Sequence, residues 1–409
     1  MYSGFPRSIY ILFIVRIINS MGNFVYPFLT FFLTDRIGLS AEETGTYFLA
    51  SAVSQVIGSI IGGKITDHYG RKKFIVIFLG LSASCFLPCS FLGNSILIPI
   101  LLILSGFFSG AALTANMAMV TDLSKKDNRK QVFSLLYMGS NIGFAIGPMI
   151  AGFLYKNHTN WIFYGNSMAI LISIILIVLF IEETMPANHI VEQDDMHDDE
   201  IAEEGGVIAA LAKRPLLLLL GLGRFFYQLV YSSIIFGIPL QLKHVFGSSV
   251  GPQYYGIIAS FNGVVVIIFT IFITKITMKL KPLINLSIAG LFYAVGFGMI
   301  GFADTLPFFL LAVVVYTIGE ILDMTNSNVY IANHSPVTHR GRFNAVITMI
   351  SNSGFAAGPY LFGKFISLYG IFKLWLLCFI LAVISSLFIF CLRFFEVRNE
   401  INIKDNIQL

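Results

Sequence analysis

Twelve apolar runs, each close to the length that crosses a bilayer, dominate this chain. A spanning helix needs roughly 20 apolar residues, and such runs fall at approximately 8–33, 43–65, 74–93, 96–121, 131–154, 160–181, 215–241, 253–275, 283–303, 306–332, 344–363 and 371–392. Backbone polar groups inside lipid must be satisfied within the protein, which leaves helices as the structure for consecutive runs of this length. Charge content agrees. Only 12% of residues are charged and the mean hydropathy is +0.81, against about 25% charged residues in soluble proteins. Too few polar groups remain to cover a water-facing surface, so the expectation is an all-α membrane protein of twelve transmembrane helices. The first run lacks a small-residue cleavage site and is expected to stay in the membrane.

The one long polar stretch, 183–214, carries Glu192, Asp194, Asp195, Asp198, Asp199, Glu200, Glu203 and Glu204. It reads as a solvated linker between a six-helix bundle at 1–182 and a second at 215–395, followed by a tail at 396–409. Lysine and arginine in short loops set orientation. With the N-terminus inside, inner segments hold nineteen of the 26 cations, and outer segments hold only Arg36, Lys156, Lys243, Lys364 and Lys373. Both termini and the linker are therefore expected in the cytoplasm.

An internal repeat supports the two-bundle division. Residues 140–152, SNIGFAIGPMIAG, match residues 351–363, SNSGFAAGPYLFG, at eight of thirteen positions with an offset of 211. The same offset pairs Arg129 with Arg340, Gly45 with Gly256, and Lys64-Ile65-Thr66 with Lys275-Ile276-Thr277. Two parallel halves of this kind place a substrate site near the membrane midplane and move by rocking. Each copy sets glycine four residues before Gly-Pro: Gly143, Gly147, Pro148 and Gly354, Gly358, Pro359. Small residues at that spacing let helices approach closely, and proline can kink a helix into a hinge. Packing and gating both fit.

The loop after the second run reads GKITDHYGRKK, residues 63–73. Gly70 allows a tight reversal, and Asp67 stands beside Arg71, Lys72 and Lys73, where a carboxylate can accept charge-assisted hydrogen bonds. With these residues the chain resembles the major facilitator superfamily, in particular its drug:proton antiporter branch. Gly63, Asp67, Gly70, Arg71 and Lys72 match the family's loop signature. Gly143, Gly147, Pro148 and Gly152 resemble the antiporter signature of helix five. The likeness covers essentially the whole chain. It implies the superfamily fold of two pseudo-symmetric six-helix bundles, alternating access, and a cytoplasmic lock at Asp67. His68, Ser134 and Ala151 depart from the signatures, and the fourth run at 101–110 lacks the arginine that many antiporters carry.

Ionised groups at mid-bilayer cost roughly 3 kcal/mol or more unless paired or hydrated. Four stand well inside the runs, away from their ends: Arg16, Arg224, Glu320 and Asp323. Arg224 lies one helical turn before position 227, the repeat equivalent of Arg16, whereas the acids map to Ser109 and Ala112. Glu320 and Asp323 share a helical face at i, i+3. Two close, desolvated carboxylates do not both stay ionised cheaply, which suits proton uptake and release. Glu320 is the expected proton carrier and Asp323 its tuner, with Arg16 or Arg224 pairing an acid or holding an anionic substrate. A static ion-pair network fits the same residues. By the resemblance, helices one, four, seven and ten bring all four charges to a central cavity. Asn19, Asn23 and Tyr227 are candidate polar contacts there, although helix-to-helix bonding accounts for them equally.

No nucleotide-binding loop, metal-ligand cluster or nucleophile with a base partner is apparent, so neither an enzyme nor a cofactor is expected. Cys85, Cys89, Cys378 and Cys391 lie in apolar runs and read as packing residues. The expected function is secondary active transport driven by protons, with efflux of small amphipathic compounds first. Uptake of an organic anion or peptide-like solute and lipid flipping are the alternatives. The expected partners are a small-molecule substrate, protons and the lipid bilayer, with no nucleic acid and with a monomer sufficing.

Overall fold

Glycine, proline and serine punctuate an almost continuous helical chain. A computed structural model describes residues 4–124, 128–184, 214–335 and 340–407; within these, the side chains of 67–69, 130, 340–342 and 397–407 are not described. Of the expected linker 183–214, residues 185–213 lie outside the described residues, and the acidic cluster with them. All regular structure among the described residues is helical. The elements are α1 Arg7–Met21, α2 Val25–Phe31 with a π-helical extension Phe32–Ile37, α3 Ala41–Tyr69, α4 Arg71–Cys89, α5 Leu97–Leu123, α6 Arg129–Asn157 and α7 Thr159–Phe180. They continue as α8 Pro215–Tyr231, α9 Gly237–Thr277, α10 Pro282–Ile300, α11 Leu306–His334, α12 Arg340–Tyr369 and α13 Ile371–Ile407.

The helix ends follow from local chemistry. Ser40 and Glu43 form a reciprocal capping box at the start of α3, satisfying two otherwise orphan donors. Gly70 adopts φ +93° between α3 and α4, a conformation that side chains with a Cβ rarely hold. Pro215 and Pro282 open α8 and α10 at the helical position where a missing N–H costs nothing.

Ten stretches among the described residues are long and apolar enough to span a membrane. One of them, Pro215–Thr277, is 63 residues long and holds two spans, because Gly247 breaks α9 with φ 75° and ψ 172°. The twelfth is α12, the glycine-rich helix with the second repeat copy. Span seven differs from the uninterrupted run read at 215–241. It breaks after Tyr231 into a single 3-10 turn, Ser232–Ile234, before α9 begins. The Ser232 and Ser233 hydroxyls donate to the carbonyls three residues back, Leu229 and Val230, at 2.6 and 2.5 Å, bonds that compete with the helix ladder. Span one also breaks, after Met21 at Gly22–Phe24, and 21 plus the repeat offset of 211 is 232, one residue beyond Tyr231.

The chain divides into two compact units, Met1–Ala187 with Ile238–Val264, and Asn188–Gly237 with Val265–Leu409. In the first, α1 packs on α6 and α7, α3 on α5, and α4 on α5 and α7. In the second, α8 packs on α12 and α13, and α10 on α11 and α13. Span one on five and six therefore repeats as seven on eleven and twelve. Large apolar side chains such as Phe272, Ile276, Leu179 and Phe302 remain exposed, the surface expected of helices solvated by lipid tails.

The repeated glycines account for this shared packing. A Cβ on Gly143 would lie 2.5–2.7 Å from Ile17 O, Met21 N and Ser20 Cβ of α1, and one on Gly147 would strike Met21. In the second unit, Gly354 rests on the Phe225 carbonyl and Gly358 on Ser232. These side-chain-free positions let α6 meet α1, and α12 meet α8, backbone to backbone. Gly143→Ala and Gly354→Ala should each cost about 1–3 kcal/mol by overpacking and lower the thermal unfolding midpoint in detergent. Gly80→Ala, in α4 with nothing within 4 Å of the added carbon, should leave the midpoint unchanged or raise it. Equal behaviour of the three variants would remove the packing role.

Candidate functional site

Each unit carries its own polar interior, and the two differ in charge. In the second unit, α8 and α11 bring Arg224 and Asp323 together. The Arg224 Nε–H and Nη2–H donate to the two Asp323 carboxylate oxygens at 2.7 and 3.0 Å, a bidentate, charge-assisted geometry. Both side chains are almost wholly buried, at 6% and 0% exposure. Gln228, one turn along α8, donates to the same carboxylate at 3.4 Å. Tyr227 is fully buried, and its hydroxyl donates to the Leu286 carbonyl of α10 at 2.9 Å. A Cβ on Gly290 would meet that hydroxyl, so glycine there admits the ring.

Glu320 lies one turn from Asp323 on α11, half-buried, with the Tyr231 phenol among its neighbours. Tyr231 and Tyr227 both pack near Tyr293, with ring centroids 6.0 and 5.6 Å away. Tyr293 is completely buried, and its hydroxyl has no hydrogen-bond partner among the described residues. Arg224, Tyr227, Glu320 and Asp323 thus share one neighbourhood. Asp323 and Arg224 are committed to each other, and Glu320 faces phenols.

In the first unit, a cavity of about 480 Å³ lies beside the break in span one. Its polar lining comes from Asn19, Ser20 and Asn23 around the break, Ser51 and Gln55 on α3, Ser105 and Ser109 on α5, and Asn166 on α7. Tyr26, Tyr47 and Phe86 supply aromatic walls. The wall is held by bonds among neutral groups. Ser82 Oγ lies 2.8 and 2.9 Å from the Ser105 and Ser109 hydroxyls, and Ser173 donates to Asn19 Oδ1 at 2.9 Å. Glu320 and Asp323 correspond in the repeat to Ser109 and Ala112, so neutral groups stand here where the second unit has acids. Arg16 lies one turn before Asn19 on α1, half-buried.

The signature loop is organised by acids that its own sequence does not contain. Glu183, just past α7, accepts the backbone N–H groups of Arg71 and Lys72 at 2.7 and 3.0 Å, neutralising the N-terminus of α4. A Cβ on Gly70 would run into this carboxylate at 2.7 Å. Arg71 Nε lies 3.4 Å from Asp122 of α5, and Lys72 donates to the Val178 carbonyl of α7 at 2.8 Å. Gly63 sits against Thr114 of α5. The Asp67 side chain lies outside the described residues. Elsewhere in the first unit, Asp35 pairs with Lys243, above ring contacts among Phe28, Phe31, Tyr155 and Tyr255. Glu183, Asp122, Tyr231 and Asp35 carried no motif; only their acidity or aromaticity near span ends hinted at them.

Comparison with known proteins agrees with this architecture. The family model described as "Major Facilitator Superfamily" matches residues 12–359 and 220–406. The Na(+), Li(+), K(+)/H(+) antiporter of Planococcus maritimus is 20% identical over 358 residues, covering 82% of this chain and 84% of the relative. The quinolone resistance protein NorA of Staphylococcus aureus is 27% identical over 175 residues, 42% of this chain and 45% of NorA. Among solved structures, the nucleoside transporter NupG superposes with a TM-score of 0.73 at 14% identity, over 95% of this chain and 98% of that one. Twelve spanning helices, the half-to-half repeat and the match along nearly the whole chain have one reading: this protein is a multi-pass membrane transporter belonging to the major facilitator superfamily.

Proposed function

We propose that the protein couples proton movement to efflux of small amphipathic compounds across the cell membrane by alternating access, with both termini in the cytoplasm. The observation that carries the coupling is the division of labour on α11. Asp323 receives two bonds from Arg224 and one from Gln228; protonating it would forfeit the bidentate pair and leave a buried guanidinium uncompensated. Glu320 has the Tyr231 and Tyr293 phenols among its neighbours. On protonation its carboxyl can still hydrogen-bond with a phenol, and the Arg224–Asp323 pair stays intact. Glu320 is therefore the proton carrier, and the Arg224–Asp323 pair is the fixed charge beside it.

The neutral, aromatic-walled cavity supports the substrate side of the proposal. Its volume falls within the range of small-molecule sites, about 300–1,000 Å³. Spans one and seven break at repeat-equivalent positions, the pattern that marks binding sites in repeat-built transporters. Asn19 and Asn23 flank one of the breaks and are the substrate contacts on this reading, whereas Arg224 and Tyr227 hold helices together. The loop held by Glu183, with Gly63, Asp67, Gly70, Arg71 and Lys72, serves as the cytoplasmic lock. Gly143, Gly147 and Pro148, with Gly354, Gly358 and Pro359, are the pivots on which spans five and eleven turn. The direction of transport follows the antiporter-like signatures and the relatives named for proton antiport and quinolone resistance.

Proteoliposomes with an imposed pH gradient test the coupling. Glu320→Gln should abolish gradient-driven movement of a lipophilic dye such as Hoechst 33342, while exchange of dye for dye without a gradient persists. Unchanged gradient-driven flux in this variant would eliminate Glu320 as the carrier. Asp323→Asn should instead act on the fold, removing about 3 kcal/mol or more of stability because it strands Arg224. The double variant Arg224→Leu/Asp323→Leu should recover a higher unfolding midpoint than Asp323→Asn alone. A midpoint for Asp323→Asn equal to that of the unsubstituted protein would contradict the fixed-pair role.

A further inference from the structure

The two intramembrane arginines have different fates. Arg224 is neutralised by Asp323 at bidentate distance. Arg16, its near counterpart in the repeat, has no hydrogen bond or ion pair among the described residues. Nine residues separate it from Arg7 at the start of span one, or about 14 Å at 1.5 Å per residue. That places it near mid-depth of a hydrocarbon layer about 30 Å thick, where an uncompensated cation is costly.

Helical geometry says what this cation adjoins. Successive residues advance about 100° around a helix, so Arg16 falls between Asn19 and Ser20 on the wheel, within about 60° of each. Both of those residues line the first-unit cavity. On the same stripe, further down α1, Leu12 and Ile9 are buried in the core with Phe74, Ala111 and Met119. Arg16 therefore stands at the level where the cavity lining gives way to closed packing. Above it, the named lining carries amides, hydroxyls, phenols and apolar groups and contains neither acid nor base.

Resting on the carrier reading above, we infer that Arg16 is the charge-reading residue of the substrate site, and that the substrates include amphipathic molecules with one carboxylate on an aromatic body, bound in preference to their uncharged counterparts. The guanidinium fork matches a carboxylate in two parallel hydrogen bonds. Tyr26, Tyr47 and Phe86 hold the ring, and Asn19, Asn23 and Gln55 meet its polar substituents. Occupancy by such an anion supplies the compensation for Arg16 that the described residues do not.

Binding of 1-naphthoate and of uncharged 1-naphthamide to the purified full-length protein tests this inference. The unsubstituted protein should bind the naphthoate at least tenfold more tightly than the amide. Arg16→Gln should lose that preference, and Arg16→Lys, which keeps the charge but not the fork, should retain part of it. A monodisperse size-exclusion profile establishes that each variant is folded. Equal affinity for the two probes, binding of neither, or a preference that survives Arg16→Gln overturns the inference. Flux measured in the same preparation separates the two readings. Gradient-driven dye transport without a naphthoate preference defeats the role of Arg16 alone. A naphthoate preference without gradient-driven flux of any probe defeats the proton-coupled carrier and leaves the anion site standing.

Discussion

The cost of holding an ionised side chain inside lipid governs the interior of this protein. A charge at mid-depth needs an opposite charge, a set of hydrogen-bond partners, or a polar opening. Each unit answers differently. The second seals Arg224 against Asp323 with a bidentate pair and sets Glu320 near the Tyr231 and Tyr293 phenols. The first lines its cavity with amides and hydroxyls and no acid, and Arg16 lies one turn before Asn19 of that lining. The duplicated halves thus differ in charge: one bundle holds an ion pair and a further acid, Glu320. The other has a pocket whose lining offers amides, hydroxyls and phenols.

Helix packing supplies the frame that keeps these groups in place. Lipid offers little hydrophobic drive for one helix to seek another, so association depends on close van der Waals fit. Gly143 and Gly147 on α6, and Gly354 and Gly358 on α12, provide it by removing side chains where α1 and α8 cross. Those two partners are also the helices that break, at Met21 and Tyr231. The tightest repeated contacts thus support the interrupted spans, and Asn19 and Asn23 flank the interruption of span one beside the first-unit cavity.

Much of the fold was legible as apolar runs, because a bilayer forces each run of sufficient length into a helix. The interruption of span seven was not legible. Ser232 and Ser233 are unremarkable in an apolar stretch, and only their hydroxyls turning back onto carbonyls three residues earlier reveal the 3-10 turn. The four intramembrane charges stood out for their rarity, yet their pairing did not. Arg16 and Arg224 look alike in sequence, and whether a guanidinium meets Asp323 depends on the rotation of α8 against α11. Tyr227 shows the same limit: its sequence position fits a cavity contact and a helix-to-helix bond equally, and only the structure shows its hydroxyl donating to the Leu286 carbonyl.

The signature loop illustrates the division most clearly. Its glycine and cations are local features, and their spacing alone announces a tight reversal at a membrane surface. Its stabilising acids, Glu183 and Asp122, come from positions far along the chain that meet Arg71 and Lys72 only when α4, α5 and α7 assemble. By itself the sequence determined the number of spans, the duplication, the points of close packing and the identity of the costly charges, since each follows from hydropathy or from residue size at fixed spacing. Only the tertiary structure decided which charges neutralise one another, which hydroxyls and amides line open space, and which arginine is left uncompensated. Those outcomes depend on helix rotation and distance between segments remote in sequence, and no local pattern encodes them.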